Sequence, residues 1–500
     1  MKGSVRLVLF FSLTYAVNIF AGDIKSPAKI NPFEEKLQFG LRDYYVIKGQ
    51  NESGSLLSEM RRYKIPGVSI AAIHDGRYVL VKAYGYKDSS TRQLLTPEDL
   101  LQAASISKPI TVLGALKLGS EGKFDLDANI NNYMTDKWRL GDNQYTKTQP
   151  VTARLLMAHL GGINVAGFPG IDRSVSKLPT IVDVLNGKKP YITTEAVKVV
   201  ATPGSKFVYS GGGISILQFT MMNITKQDFA SWMKAEVLQS FAMQNSTFEE
   251  PLPESYQHLA SSAHDKDGIV YKGKYHSYPE EAAAGLWTNP VDLIGVLNHL
   301  KMAYYGHCSP LGIESGLFRQ MFTPQKPSPF GLGFMLESTP DVFTFGHDGV
   351  NDGFQSKMIA FVTPHGSKAK FLDDALVVMT NSDNGFYIID KIVNAFTDAY
   401  GINYHPPIQI IPLPLPKNLK KYVLSFSLAS DSENIHKIMV KNNQLYLDWS
   451  QDGNIERLYY LGNNRFVTLS GYKLVYSWQG SKLSLIVSYQ NNPSDNAIVN

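Results

Sequence analysis

Residues 105–118 read SISKPITVLGALKL. Val112, Leu113, Leu116 and Leu118 recur at helical spacing and Gly122 follows as a stop, so a buried helix is expected from Ser105 to about Leu118. Pro109 belongs in the first turn, where its missing N–H costs little, and this places the helix start beside the serine. Ser105 and Lys108 are three residues apart and share one helix face. A serine hydroxyl becomes a nucleophile when a neighbouring base takes its proton, and a lysine whose pKa is lowered by burial can be that base. The free N–H groups of a helix start also favour the negative charge of an acyl-transfer oxyanion. Alone, a Ser-x-x-Lys is a weak signal in a chain of 500 residues.

Upstream, GVSIAAIHDGRYVLVKAYGYKD (67–88) holds two β-rich runs joined by Asp75-Gly76, a dipeptide that accepts the positive φ angles of a tight hairpin. Downstream, 125–300 alternates helical patterns with Pro/Gly loops and reads as mainly helical. Strand character returns at 342–346, 353–362 and 374–381, before a closing helix in NGFYIIDKIVNAFTDAY (384–400). Strands at both ends of a helical middle imply an α/β domain: an antiparallel β-sheet flanked by helices, with a mainly helical insertion. HPPIQIIPLPLPKN (405–418) is expected to be a stiff, extended connector. Beyond it, short alternating runs (KIMV, QLYLDW, RLYYL, RFVTL, KLVYSW, KLSLIVSY) separated by Asn442-Asn443, Asp452-Gly453, Asn463-Asn464 and Gly480-Ser481 predict an antiparallel meander closing into a small barrel or sandwich. The expected division is a signal peptide at 1–21, a main α/β domain at 22–405, a Pro-rich linker at 406–416 and a small β-barrel domain at 417–500.

Composition is that of a folded globular chain: 44% hydrophobic, 18% charged, with 48 basic against 44 acidic residues and a net charge of +4. That excludes collagen, coiled coil and global disorder, and without a basic run it gives no support to nucleic-acid binding. MKGSVRLVLFFSLTYAVNIFAG (1–22) has a positive start, an apolar stretch from Leu7 to Phe20 and small residues at Ala21 and Gly22, the pattern of an export signal cut after Ala21. No later stretch is long and apolar enough to span a bilayer, so export to a periplasmic or secreted location without a membrane span is expected. The single Cys308 rules out an internal disulfide. His74, His299 and His307 lack metal-type spacing and there is no His-Glu-x-x-His or Cys cluster, so neither a metal nor another cofactor is expected.

Two further segments give the Ser-x-x-Lys its context. GSKFVYSGGGISILQF puts Tyr209 in a Gly-rich turn before an apolar run, and FTFGHDGVNDGF puts His347 and Gly349 at the end of a strand. In this order, SISK, YSG and HDG resemble the three motifs of the serine β-lactamase and penicillin-binding protein superfamily. The branch is that of class C β-lactamases, D-aminopeptidases, DD-carboxypeptidases and β-lactamase-fold esterases, whose second motif is Tyr-x-Asn and third Lys-Thr-Gly or His-x-Gly. GKFDLDANINNYM, VTARLLMAHLGGI, TPGSKFVYSGGG, AAAGLWTNPVDL, FGLGFML and VVMTN also look like family landmarks in family order, so the resemblance covers roughly 35–400. The C-terminal β-domain looks like the small lipocalin-like barrel appended to several D-aminopeptidase and esterase relatives.

The resemblance implies a β-lactamase/transpeptidase-like fold and assigns roles. Ser105 would be the acylated nucleophile, Lys108 its proton acceptor or electrostatic helper, and Tyr209 a general base and acid, its phenol acidified by nearby positive charge. The oxyanion hole would be the backbone N–H groups of Ser105 and Val350. His347 would line the substrate edge, Gly349 would allow close backbone approach, and Gly211, with Gly212 and Gly213, would open space for substrate. His159 is expected to be structural, Trp287 to be core or a loop near the site, and Asp348 to be a solvated loop residue or an amine-recognition group.

Two departures bear on substrate. Gly211 replaces the motif Asn and removes a side-chain amide, and His347 replaces a lysine and removes a fixed positive charge. Both point to an exported serine hydrolase acting on an ester, an amide or a D-amino-acid peptide. The alternatives are a β-lactamase or penicillin-binding DD-peptidase, and a non-catalytic protein that binds cell-wall peptides or a partner.

Overall fold

In the computed structural model the described residues are 30–50, 54–175, 177–304, 310–363, 370–428, 431–449, 455–480, 482–490 and 495–499. The expected signal peptide, His307 and Cys308 lie outside them. The part of the chain before the Pro-rich connector is organised on seven strands: β1 (Gly67–His74), β2 (Arg77–Asp88), β3 (Gln93–Leu94), β4 (Met335–Ser338), β5 (Phe343–Asn351), β6 (Phe354–Thr363) and β7 (Lys370–Thr380). They pair antiparallel in the order β3-β2-β1-β7-β6-β5-β4, so the segment between β3 and β4 is an insertion into one sheet. The β1–β2 turn has Asp75 at φ 49° and Gly76 at φ 70°, as the hairpin signal required.

Among the described residues six helices have seven or more residues: α1 (Pro32–Phe39), α2 (Leu56–Arg62), α3 (Ser107–Ser120), α4 (Gly211–Thr225), α5 (Pro290–Tyr304) and α6 (Phe386–Tyr400). Alternation along the strands sorts the core into two layers. Val68, Ile70, Leu376, Val378 and Phe361 pack with Phe33 and Leu37 of α1 and with Ile388, Ile392 and Phe396 of α6. Ala71, Ile73, Val377, Met379 and Phe345 face the other way, onto the larger cluster that contains Val112, Leu113 and Leu116 of α3 and Ile214 and Leu217 of α4. β1 is buried on both faces along almost its whole length, which explains why it reads as a continuous apolar run.

The insertion differs from the sequence expectation. Apart from α3, α4 and α5 it holds helices of four or five residues such as Ala153–Met157, Ile181–Leu185 and Phe229–Met233, short 3-10 turns and irregular chain, because Pro and Gly punctuate it too often for more long helices. Two-residue strands also occur there, Leu101–Gln102 against Trp287–Thr288 and Ile171–Asp172 against His276–Ser277, too short to leave any periodicity. Within the connector, Ile408–Ile410 is extended and pairs parallel with Tyr45–Ile47, a contact the sequence did not predict. Between Pro407 and Pro412 four residues retain their N–H groups, so this part of the segment can join a ladder.

The C-terminal residues form β8 (Leu424–Leu428), β9 (Asp431–Lys441), β10 (Gln444–Asp448), β11 (Ile455–Arg457), β12 (Tyr459–Tyr460), β13 (Arg465–Val467), β14 (Tyr472–Gln479), β15 (Lys482–Tyr489) and β16 (Asp495–Val499). Their order is β11-β10-β9-β8-β16-β15-β14-β13-β12. Its two ends, β11 and β12, are separated in the chain by Leu458 alone, so the sheet curls into a nearly closed barrel around Phe426, Leu445, Leu447, Phe466, Leu474 and Leu485. Asn442-Asn443 and Asn463-Asn464 are turns with positive φ at all four residues. Among the described residues no helix is long and apolar enough to cross a membrane.

Phe426 fills the barrel core with no exposed surface. Phe426→Ala is expected to destabilise the barrel by about 3–5 kcal/mol, measured by urea unfolding followed by tryptophan fluorescence.

Candidate active site

Ser105 does not open α3 itself; it sits in a 3-10 turn, Ala104–Ile106, that leads into the helix at Ser107. Ala104 adopts φ 50° although it carries a Cβ, a conformation that costs an alanine on the order of 1–2 kcal/mol. The surroundings hold it: the Ala103 N–H donates to Leu286 O at 2.8 Å, and Ala103 O accepts from Ser356 Oγ at 3.2 Å. The bend leaves Ser105 half-buried while its neighbours are buried.

Lys108 follows in the first turn of α3 and is 2% exposed. Its Nζ donates to Ser105 Oγ and to Ala283 O, both at 2.8 Å. Burial lowers its pKa to about 7, and the field of the buried Glu280 only partly offsets this. Near neutral pH Lys108 therefore divides between ammonium and amine.

Tyr209 lies just before α4, whose start is set by Ser210: the Gly213 N–H donates to Ser210 Oγ at 2.8 Å, and that hydroxyl donates to Asn164 O at 2.8 Å. The ring of Tyr209 lies 5.3 Å from Lys108 Nζ and 4.3 Å from the imidazole of His159, and its phenol feels the Ser105 hydroxyl. Burial pushes the phenol up to about 12, the Ser105 hydroxyl lowers it slightly and Asp348 raises it. The expected acidification is thus reversed, because a half-neutral lysine is not a fixed positive charge and burial outweighs it.

The glycines after Tyr209 also act differently from expectation. The Gly211 and Gly212 N–H groups donate to Ala166 O and Val165 O, at 3.0 and 2.9 Å. A Cβ on Gly211 would stand 2.9 Å from Ala166 O and 3.0 Å from the Phe168 ring. These glycines let two main chains close on each other, and the space expected for substrate is occupied by protein.

β5 supplies the opposite wall. β4 covers β5 only over Phe343–Gly346, so from His347 onward the outer edge of β5 lacks a sheet partner. The two-residue turn Asp352-Gly353 makes Asn351 and Phe354 a hydrogen-bonded pair. Antiparallel alternation then directs the N–H and C=O of Val350 and Asp348 away from β6, towards that open edge. Asp348 O is taken by His347 Nδ1 at 2.6 Å. Gly349 lies so close to the chain entering the Ser105 turn that a Cβ would meet Ala103 O at 2.2 Å and Ser356 Oγ at 2.3 Å.

His347 is buried, and burial followed by the Lys108 charge lowers its pKa to about 4. It is neutral at pH 7, with the Nδ1 proton on the Asp348 carbonyl and Nε2 without a partner. Phe330 packs 5.8 Å from its ring and Phe207 stacks on Phe330 at 5.7 Å, an aromatic wall that the motif reading missed: both residues lie in the landmarks FGLGFML and TPGSKFVYSGGG, but nothing local shows that the two rings meet. Asp348 is neither a loop residue nor free for an amine: it is paired with Lys357 across β5–β6 at 2.8 Å. His159 is buried and accepts from the Ser210 N–H through Nδ1 at 3.2 Å, and Trp287 is fully buried. The sequence also missed the Ala283 carbonyl, although AAAGL marks the right segment.

Ser105, Lys108, Tyr209, His347 and the open edge of β5 thus meet across one cleft, a serine hydroxyl, a tunable amine, a neutral phenol and outward-facing amides on an antiparallel sheet. This is the architecture of a β-lactamase-fold serine hydrolase. The chain belongs to the Beta-lactamase family, whose pattern matches residues 53–396. It is similar to Protein flp of Staphylococcus aureus strain MW2, with 25% identity over 236 residues covering 46% of this chain and 43% of that protein, less than half its length. In fold it is similar to the octameric penicillin-binding protein homologue from Pyrococcus abyssi (19% identity, TM-score 0.58, 89% of this chain and 98% of that one). It is also similar to D-alanine carboxypeptidase AmpC from Burkholderia cenocepacia (16% identity, TM-score 0.52, 69% of this chain and 96% of that one).

Burial holds His159 and His347 neutral, while the unfolded chain protonates its imidazoles below about 6.5. Their folded pKa values are depressed, so their contribution to stability is complete above 6.5 and is lost as the pH falls towards 4. Histidine NMR titration between pH 8 and 5.5 should leave both C2 protons unshifted, and the melting temperature should fall across pH 6.5 to 4.

Proposed function

We propose that the protein is an exported serine hydrolase that works through a covalent acyl-enzyme on an ester, an amide or a D-amino-acid peptide. The observation that carries this reading is the 2.8 Å contact between Ser105 Oγ and a buried lysine whose pKa is about 7. Neutral Lys108 takes the Ser105 proton as Oγ attacks the carbonyl carbon. The C=O electron pair moves onto oxygen, and the N–H groups of Ser105 and Val350 receive the charge. Tyr209 is a proton donor in this scheme, since a phenol at about 12 is a poor resting base. It gives its proton to the leaving group and recovers one from the ammonium of Lys108. Water then attacks the acyl carbon, gives its proton to Lys108, and Ser105 leaves protonated.

The substrate class follows from what the cleft lacks. A neutral His347 offers no positive charge to a carboxylate beside the scissile bond, and Lys357 is already paired with Asp348. The Phe330–Phe207 wall favours an apolar group instead. The export reading rests on the apolar first 21 residues and on the family resemblance.

Intact-mass analysis after a fluorophosphonate should show one adduct, absent in Ser105→Ala, while penicillin should leave no adduct. Labelling of neither protein would favour a peptide-binding, non-catalytic role, and a penicillin adduct would favour a cell-wall peptidase. Because the amine form of Lys108 is the reactive one, the labelling rate should rise with pH through about 7 and level off above 8, roughly tenfold faster at pH 8 than at pH 6. A rate independent of pH over this range would remove Lys108 from the role of base.

A further inference from the structure

The face of β5 turned away from the cleft carries a line of polar contacts that leads to the barrel. Asp348 pairs with Lys357 at 2.8 Å, and Lys357 Nζ lies 3.8 Å from Asp390 of α6. Asp390 Oδ2 accepts from the hydroxyl of Tyr489, on β15 of the barrel, at 2.6 Å. The direction of that hydroxyl is set by Gln490, whose Nε2 donates to the Tyr489 oxygen at 2.9 Å. At the other end, the carbonyl of Asp348 holds His347, and Val350 is two residues further along the strand.

Two features make this line more than surface pairing. Lys357 is largely buried, yet Asp348 and then Asp390 outweigh the cost of burial and hold its pKa above the usual lysine range, so it stays charged. A buried charge of this kind ties its partners' positions together, since separating either leaves it uncompensated. The seam between the barrel and the catalytic half is also open: a cavity of about 850 Å³ lies there, with Asp390 and Tyr489 among its lining residues. The Tyr489–Asp390 bond bridges this gap and does not sit inside continuous packing.

We infer that the barrel is a positioning element of the active site, with Tyr489 bracing the open edge of β5 through Asp390, Lys357 and Asp348. The brace fixes where the outward N–H of Val350 stands relative to Ser105. It acts through other groups and touches no substrate, so Tyr489 and Asp390 are positioning residues. For its kinetic readout the inference rests on the acyl-enzyme reading proposed above.

The test uses the full chain with Tyr489→Phe, which removes one hydroxyl, Asp390→Asn, and the double variant, with p-nitrophenyl butyrate as the ester probe. An oxyanion donor acts on the transition state, so a displaced strand should lower kcat by roughly 3- to 10-fold with KM within about twofold of wild type. The double variant should lose no more than the worse single one, because both interrupt one path. Hydrogen exchange of a peptide spanning 343–354 should be faster in Tyr489→Phe. An unchanged kcat with a lower melting temperature, or fully additive losses, would make the contact a structural prop and overturn the inference. If wild type shows no acyl-enzyme, the functional reading fails on its own, and the exchange arm still decides: unchanged exchange in 343–354 overturns the brace.

Discussion

An amine enclosed by protein, with a serine oxygen on one side and a main-chain carbonyl on the other, is the constraint on which the rest of the structure depends. Among the described residues no carboxylate lies within hydrogen-bond distance of Lys108 Nζ; its partners are Ser105 Oγ and Ala283 O. Burying a full charge on those terms is costly, and the lysine meets the cost by giving up its proton easily. For the amine to be enclosed, α3 must run through the core, the Glu281–Ala284 turn must present its carbonyl, and the chain before α3 must bend sharply enough to bring Ser105 back over the helix. The left-handed Ala104 is that bend, held by its hydrogen-bonded neighbours on both sides.

β5 is the second constraint, and it works because a strand has two faces and two edges. One face, which also carries His347, sets Gly349 against the Ser105 turn, and the other sets Asp348 against Lys357. One edge is satisfied by β6, while the other loses β4 after Gly346 and leaves amides directed outwards. An edge of this kind is an aggregation liability in most proteins. Here the Ser105 turn stands beside it, so the unpaired groups become part of the cleft.

Much of the fold was legible because its signals are local. Asp75-Gly76, the run from Val112 to Leu118, the strands after 342, the closing helix and the Asn-Asn turns of the barrel are all found near their expected positions. The short helices of the insertion and the pairing of Ile408–Ile410 with Tyr45–Ile47 were not legible. The first were broken by Pro and Gly at a spacing no periodicity resolves, and the second joins residues more than 360 positions apart. Among site residues, Ser105, Lys108, Tyr209 and His347 stood out by motif, whereas Ala283 contributes a carbonyl that any residue could supply, and Phe330 and Phe207 lie in separate landmarks whose meeting no local signal records.

The sequence by itself determined the types and order of the reactive groups, the antiparallel frame and the separate β-rich C-terminal region, since these depend on residue identity and on spacing along the chain. The tertiary structure alone decided their chemical states. The same Lys108 would be a full ammonium and the same Tyr209 an ordinary phenol in water; burial moves one down to about 7 and the other up to about 12. It likewise decided that Gly211 closes a wall instead of opening one, and that Asp348 faces Lys357 instead of the cleft. Desolvation and close approach depend on what surrounds an atom in space, and most of those neighbours are distant in the chain.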